Sequence, residues 1–167
     1  MDLFLLRHGV AAAASSDHPG QDSSRALTPE GVRKMQFAAA AIKASGLYFD
    51  LILSSPYLRA TQTAELVAAA LKVRRLVRLS AALAPQADFE KLVEELKNRY
   101  PERSSVLLVG HEPYLTGLVS LLASGRPGMT INLKKGGLCK LSVARLRNGS
   151  CAALDWLLTP KLLRRLA

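Results

Sequence analysis

The sequence predicts an α/β protein, a mostly parallel sheet covered by helices on both faces with one antiparallel strand near the carboxyl end. Three observations predict it. Apolar runs of strand length alternate with segments of helical periodicity, several helices carry clear start and stop signals, and Asn148-Gly149 marks a hairpin between the last two apolar runs. At 167 residues with 49% hydrophobic content, the chain has the size and apolar fraction of a single domain spanning 1–167.

The elements follow in order. Strands are predicted over Asp2–Leu6, Leu51–Ser54, Leu76–Leu79, Val106–Val109, Leu138–Val143 and Ala152–Leu157. Thr28 is placed to cap a helix that has Pro29 at its first position and Glu30 in its first turn, running to about Ser45 before Gly46 ends it. Further helices are predicted from about Tyr57 to Leu71, from Asp88 to Arg99 before Pro101, and from about Pro113 to Ala123 before Gly125. No repeat, linker or low-complexity block interrupts them. A two-residue turn at Asn148-Gly149 pairs residue 146 with 151 and residue 139 with 158, which keeps Cys139 and Cys151 apart as free thiols.

Leu3 to Leu6 is too short and lacks the basic lead-in of a signal peptide, and no stretch approaches the roughly 18 apolar residues of a membrane span. A cytoplasmic location is the expectation. The net charge of +10 raises nucleic acid, anionic membrane and acidic substrates as partners. Its cations are dispersed: Lys72, Arg74, Arg75 and Arg78; Lys134, Lys135, Lys140, Arg145 and Arg147; Lys161, Arg164 and Arg165. They lack the interleaved aromatics that stack bases, so a solvated surface is expected and nucleic acid is not.

In an open α/β sheet, ligands gather beyond the carboxyl ends of the strands. There the first strand runs into Arg7-His8-Gly9, the second into Ser54-Ser55-Pro56 with Arg59 soon after, and the fourth into Gly110-His111-Glu112. Two of the chain's three histidines and two arginines would meet on one rim. Guanidinium groups offer paired donors to phosphate oxygens, and imidazole can attack phosphorus or donate to an oxygen, so the set suits phosphoryl transfer. Positive neighbours would keep the attacking imidazole neutral. Gly9 would let the backbone pass close to substrate. Ser54, Ser55 and Thr61 read as helix-entry residues, since no G-x-S-x-G elbow surrounds either serine. Glu112 either orients a histidine or favours a helix amino terminus. No ligand spacing such as H-x-x-x-H indicates a metal site, and no cofactor is expected.

The segments LRHG, SSPYLRATQTAE and VGHEPYL, in this order and spacing, resemble the histidine phosphatase superfamily, and RALTPEG with the short length is similar to its small SixA-like phosphohistidine phosphatases. The resemblance implies a phosphoglycerate mutase-like three-layer α/β/α sandwich. It also implies a metal-independent phosphatase with His8 as nucleophile, Arg7 and Arg59 on the phosphoryl oxygens, His111 completing the pocket and Arg25 as a third anion contact. The implied substrate is phosphohistidine in a protein. A phosphatase of small phosphorylated metabolites or nucleotides and a non-catalytic anion-binding module are the alternatives. Larger members of the superfamily carry an acid after the third strand, where this chain reads Ser80-Ala81-Ala82-Leu83-Ala84-Pro85. Asp88, Asp17, Asp22 or His18 are left as proton donors, with no choice among them.

Overall fold

A computed structural model of the chain describes residues 1–13 and 19–165. Six strands form one sheet: β1 (Asp2–Arg7), β2 (Leu51–Ser54), β3 (Val77–Leu79), β4 (Ser105–Gly110), β5 (Leu138–Val143) and β6 (Ala152–Leu158), in the spatial order β3-β2-β4-β1-β5-β6. The pairs β3–β2, β2–β4 and β4–β1 are parallel, whereas β5 runs antiparallel to both β1 and β6. The sheet is therefore mostly parallel with one reversed strand, as the alternating pattern implies.

The helices are α1 (Pro29–Ala44), α2 (Leu58–Ala70), α3 (Phe89–Arg99), α4 (Tyr114–Ser124) and the short α5 (Pro160–Leu163). Thr28 caps α1 as expected, its hydroxyl accepting from the Gly31 amide at 2.9 Å, and Gly46 follows the helix at φ 71°. Asp88 caps α3 through the Glu90 amide at 2.9 Å. Three 3-10 turns lie at Pro19–Ser24, Arg74–Leu76 and Ala81–Leu83; the second takes Leu76, expected as the first residue of a strand, and β3 begins at Val77.

Alternation along β1 divides the core. Leu3 and Leu5 face α3 and α4 with Leu92, Leu96, Leu115 and Leu118, while Phe4 and Leu6 face α1, α2 and α5 with Met35, Ile42, Val67 and Leu163. Covering both faces explains why β2 and β4 read as unbroken apolar runs: every residue in them is buried.

The hairpin departs from expectation. Cys139 pairs with Leu157 and not residue 158, the register shifts between Lys140 and Leu141, and the ladder stops at Val143↔Ala152. Asn148 and Gly149 thus sit inside a longer connection, residues 144–151, and do not form a two-residue turn; this longer connection already displaces the pairing at Val143↔Ala152, and the irregularity between Lys140 and Leu141 partly restores it at Cys139↔Leu157. Both cysteines are free, as anticipated. Among the described residues no helix is long and apolar enough to cross a membrane.

Candidate active site

Sheet register builds the site. Arg7 at the end of β1 lies opposite Gly110 at the end of β4, and Ser54 at the end of β2 lies opposite Val109. The residues that follow, His8, Ser55 and His111, are consequently brought side by side at one edge. Backbone hydrogen bonds fix the exit: the His8 amide donates to the Gly110 carbonyl at 3.0 Å and the Ser55 amide to the Val109 carbonyl at 2.9 Å. The His8 and His111 rings stand 5.0 Å apart between centroids.

His8 is only 7% exposed. Its Nδ1 lies 2.7 Å from the Gly9 carbonyl oxygen, which can only accept, so Nδ1 carries the proton. Its Nε2 accepts from Nε of Arg59 at 3.2 Å. Both contacts select the same tautomer, with Nε2 unprotonated. Burial is the largest influence on the ring, and with Arg59, Arg7 and Lys135 it outweighs the Gly9 hydrogen bond and lowers the pKa to about 4. The expected neutral imidazole is present, with desolvation ahead of neighbouring charge as its cause.

Arg59, in the first turn of α2, is 4% exposed. Its guanidinium lies 5.0 Å from the Tyr57 ring centroid, donates to His8 through Nε, and reaches the Asp22 backbone carbonyl at 2.6 Å and the Asp22 carboxylate at 3.0 Å. Arg25 meets the same carboxylate through Nε at 2.7 Å and Nη2 at 2.5 Å. One carboxylate thus bridges the two arginines. Partial burial pushes the Asp22 carboxyl up, but hydrogen bonds from Arg59 and Arg25 outweigh it and hold the group below the usual carboxylate value.

Arg7 donates from Nη1 to the Leu133 carbonyl at 2.9 Å, and its Nε is buried without a protein partner. His111, 1% exposed, places Nε2 2.8 Å from the Ser55 hydroxyl and packs edge-on against Tyr57 at 5.1 Å, and its Nδ1 is likewise buried and unpartnered. Burial first, then the charges of His8 and Arg59, lowers its pKa to about 3. Among the described residues three buried side-chain polar atoms lack a partner, and two of them belong to this cluster. Such atoms ordinarily find a partner, and an anion's oxygens would supply one.

Arg7, His8, Arg59 and His111 are therefore gathered as expected, and Arg25 joins them through Asp22. Asp88 is occupied in capping α3. Glu112 serves a helix end, its carboxylate accepting from the Thr116 amide at 3.3 Å and hydroxyl at 2.6 Å. Asp17 and His18 lie outside the described residues. Gly9 also has a packing use: a Cβ there would stand 2.6 Å from Met35 Cγ, so its smallness admits α1. Sequence reasoning overlooked Thr63, whose hydroxyl accepts from the Gly9 amide at 3.1 Å and donates to the Arg59 carbonyl at 2.7 Å. The signal was its place one turn after Arg59 on the same helix face.

A neutral imidazole braced by one guanidinium, beside buried polar atoms without partners, can engage a tetrahedral anion. A family model described as histidine phosphatase superfamily (branch 1) matches residues 3–84, and the phosphohistidine phosphatase SixA of Escherichia coli (strain K12) is 32% identical over 126 residues, 75% of this chain and 76% of its own. The chain belongs to the histidine phosphatase superfamily. A protein histidine phosphatase SixA solved with tungstate matches this histidine phosphatase with a TM-score of 0.80 and 26% identity, over 96% of this chain and 98% of that one. An uncharacterized protein of Picosynechococcus sp. (strain ATCC 27264 / PCC 7002 / PR-6) is 34% identical over 164 residues, 96% of this chain and 98% of its own. The three-layer phosphoglycerate mutase-like fold agrees with that of the tungstate complex. The family match takes in His8 and Arg59; His111 lies beyond it and is joined to them by the register of β4 against β1.

Proposed function

We propose that this superfamily phosphatase removes the phosphoryl group from phosphohistidine in a protein, through a covalent intermediate on His8. Nε2 of His8 attacks phosphorus, the P–N bond to the substrate imidazole breaks, and that imidazole departs neutral when its ring is already protonated. Water then attacks the phosphorus on His8, the second P–N bond breaks, and inorganic phosphate leaves as the ring returns to its Nδ1-protonated form. Arg7, Arg59 and Arg25 neutralise the phosphoryl oxygens and His111 donates from Nδ1, supplying charge stabilisation where it develops.

The observation that carries this reading is the proton-free Nε2 of His8 held at 3.2 Å from Nε of Arg59. The phosphohistidine substrate is supported by the likeness to the Escherichia coli SixA and by the state of the neighbouring acid. Asp22, the carboxylate that touches the cluster, is kept ionised by two arginines and is poorly suited to protonate an alkoxide leaving group, whereas a phosphoramidate needs less help.

The test is trapping of labelled phosphate on the protein from a phosphohistidine peptide, with wild type compared against His8→Ala. An acid-labile adduct on wild type alone is expected. Label retained by His8→Ala, or turnover of metabolite phosphates well above that of the peptide, would reject the proposal.

A further inference from the structure

Two cation sets far apart in the sequence converge beside Arg7. A cleft of about 550 Å³ is lined by Arg7, Lys34, Lys134, Lys135, Lys161 and Arg164, with Val10, Thr159 and Pro160 between them. Among the described residues only Lys34 of these has an acid in contact, Glu30 at 2.6 Å on its own helix. Six cations facing one concave space repel one another, and an arrangement of this kind is relieved by a polyanion.

These cations are not loosely hung. Lys134 and Lys135 sit on a tight turn in which the Gly137 amide donates to the Lys134 carbonyl at 2.7 Å and the Gly136 amide to the Arg7 carbonyl at 2.9 Å. The side chain of Arg7 binds the Leu133 carbonyl in the same turn, and Leu133 is buried. Across the cleft, Leu163 is 1% exposed and anchors α5 against the core that α1 covers, which fixes Lys161 and Arg164 on either side of it. Arg7 is thus common to the phosphoryl seat and the cleft, and the charge of Lys135 is felt at His8.

We infer that this cleft docks an acidic segment of the phosphorylated partner protein while its phosphohistidine enters the site at His8. The inference rests on the phosphohistidine reading above. Acidic side chains flanking the modified histidine occupy the cleft, so partner choice resides in residues that take no part in phosphoryl transfer.

The test uses two synthetic phosphohistidine peptides, identical except for three flanking Glu residues in one and Gln in the other. Wild type is expected to favour the Glu peptide roughly tenfold in kcat/KM at low ionic strength, an advantage that shrinks with added salt. The variant Lys134→Gln/Lys161→Gln/Arg164→Gln should lose this preference and keep its rate on the Gln peptide. Equal rates on both peptides in wild type, or an undiminished preference in the variant, would overturn the docking role and leave the phosphohistidine reading standing. If neither peptide is hydrolysed, that reading fails, and binding of the unphosphorylated Glu peptide decides the cleft by itself. Binding lost in the variant upholds an acidic partner; absence of binding, or pyrophosphate binding in its place, refutes it.

Discussion

Nε of Arg59 donates to Nε2 of His8, and the hydroxyl of Thr63 ties the backbones of Arg59 and Gly9 together just behind that contact. The first turn of α2 and the exit from β1 therefore behave as one unit, with the orientation of the imidazole set by a guanidinium.

Arg59→Lys separates charge from orientation. Lysine keeps the cation and loses both the Nε donor and the planar fork. The expected result is a fall in kcat of about 10²-fold or more with a folded protein, measured on a phosphohistidine peptide and on an aryl phosphate. A variant within threefold of wild type would contradict the orienting role.

Thr63→Val removes a buried hydroxyl that serves two backbone groups and leaves the Gly9 amide without its partner. Urea unfolding should register a loss of about 1–3 kcal/mol, largely restored in Thr63→Ser. Equal stability of the Val variant and wild type would show the Gly9 amide satisfied by other means.

Both site histidines have folded-state pKa values below the ordinary 6.5, about 4 for His8 and about 3 for His111. As pH falls from about 6.5 towards 4, the unfolded chain takes up protons that the folded chain refuses, so stability declines across that window. Below about 4 the contribution of His8 is already lost. Ring NMR signals of both residues should still report neutral imidazole at pH 5.5, and thermal unfolding should occur at lower temperature at pH 4.5 than at pH 7. A ring that titrates near 6.5 would contradict the burial argument.

Asp22 places a negative charge on the edges of Arg59 and Arg25 that a phosphoryl group would use. Asp22→Asn should tighten inorganic phosphate by about threefold to tenfold by calorimetry, since a unit charge a few ångströms away in a partly solvated site is worth about 1 kcal/mol. Weaker binding would indicate that the carboxylate's hold on the arginines matters more than its charge.

Much of this arrangement is legible before any coordinates. Apolar runs bounded by Thr28-Pro29, Gly46, Pro101 and Gly125 carry helix and strand positions because caps and breakers act within a turn of themselves. The convergence of Arg7, His8, Arg59 and His111 follows from one rule about strand ends. Other features depend on distances that no local signal encodes. The carboxylate of Asp22 spans two arginines, one of them 37 residues away, through a short 3-10 turn without periodicity. The long connection 144–151 moves the hairpin pairing, and Lys134 meets Lys161 only after β5 and β6 have doubled back.

The strand that delivers His8 lies inside the sheet, zipped to β4 on one side and β5 on the other, while β3 and β6 form the margins. Fraying begins at margins, where a strand has one neighbour to lose, and the last amides to exchange with solvent belong to interior strands. The His8 ring is thereby moored to an interior strand, expected to open after the margins. Opening that begins at β3 or β6 leaves undisturbed the atom on which the proposed chemistry turns.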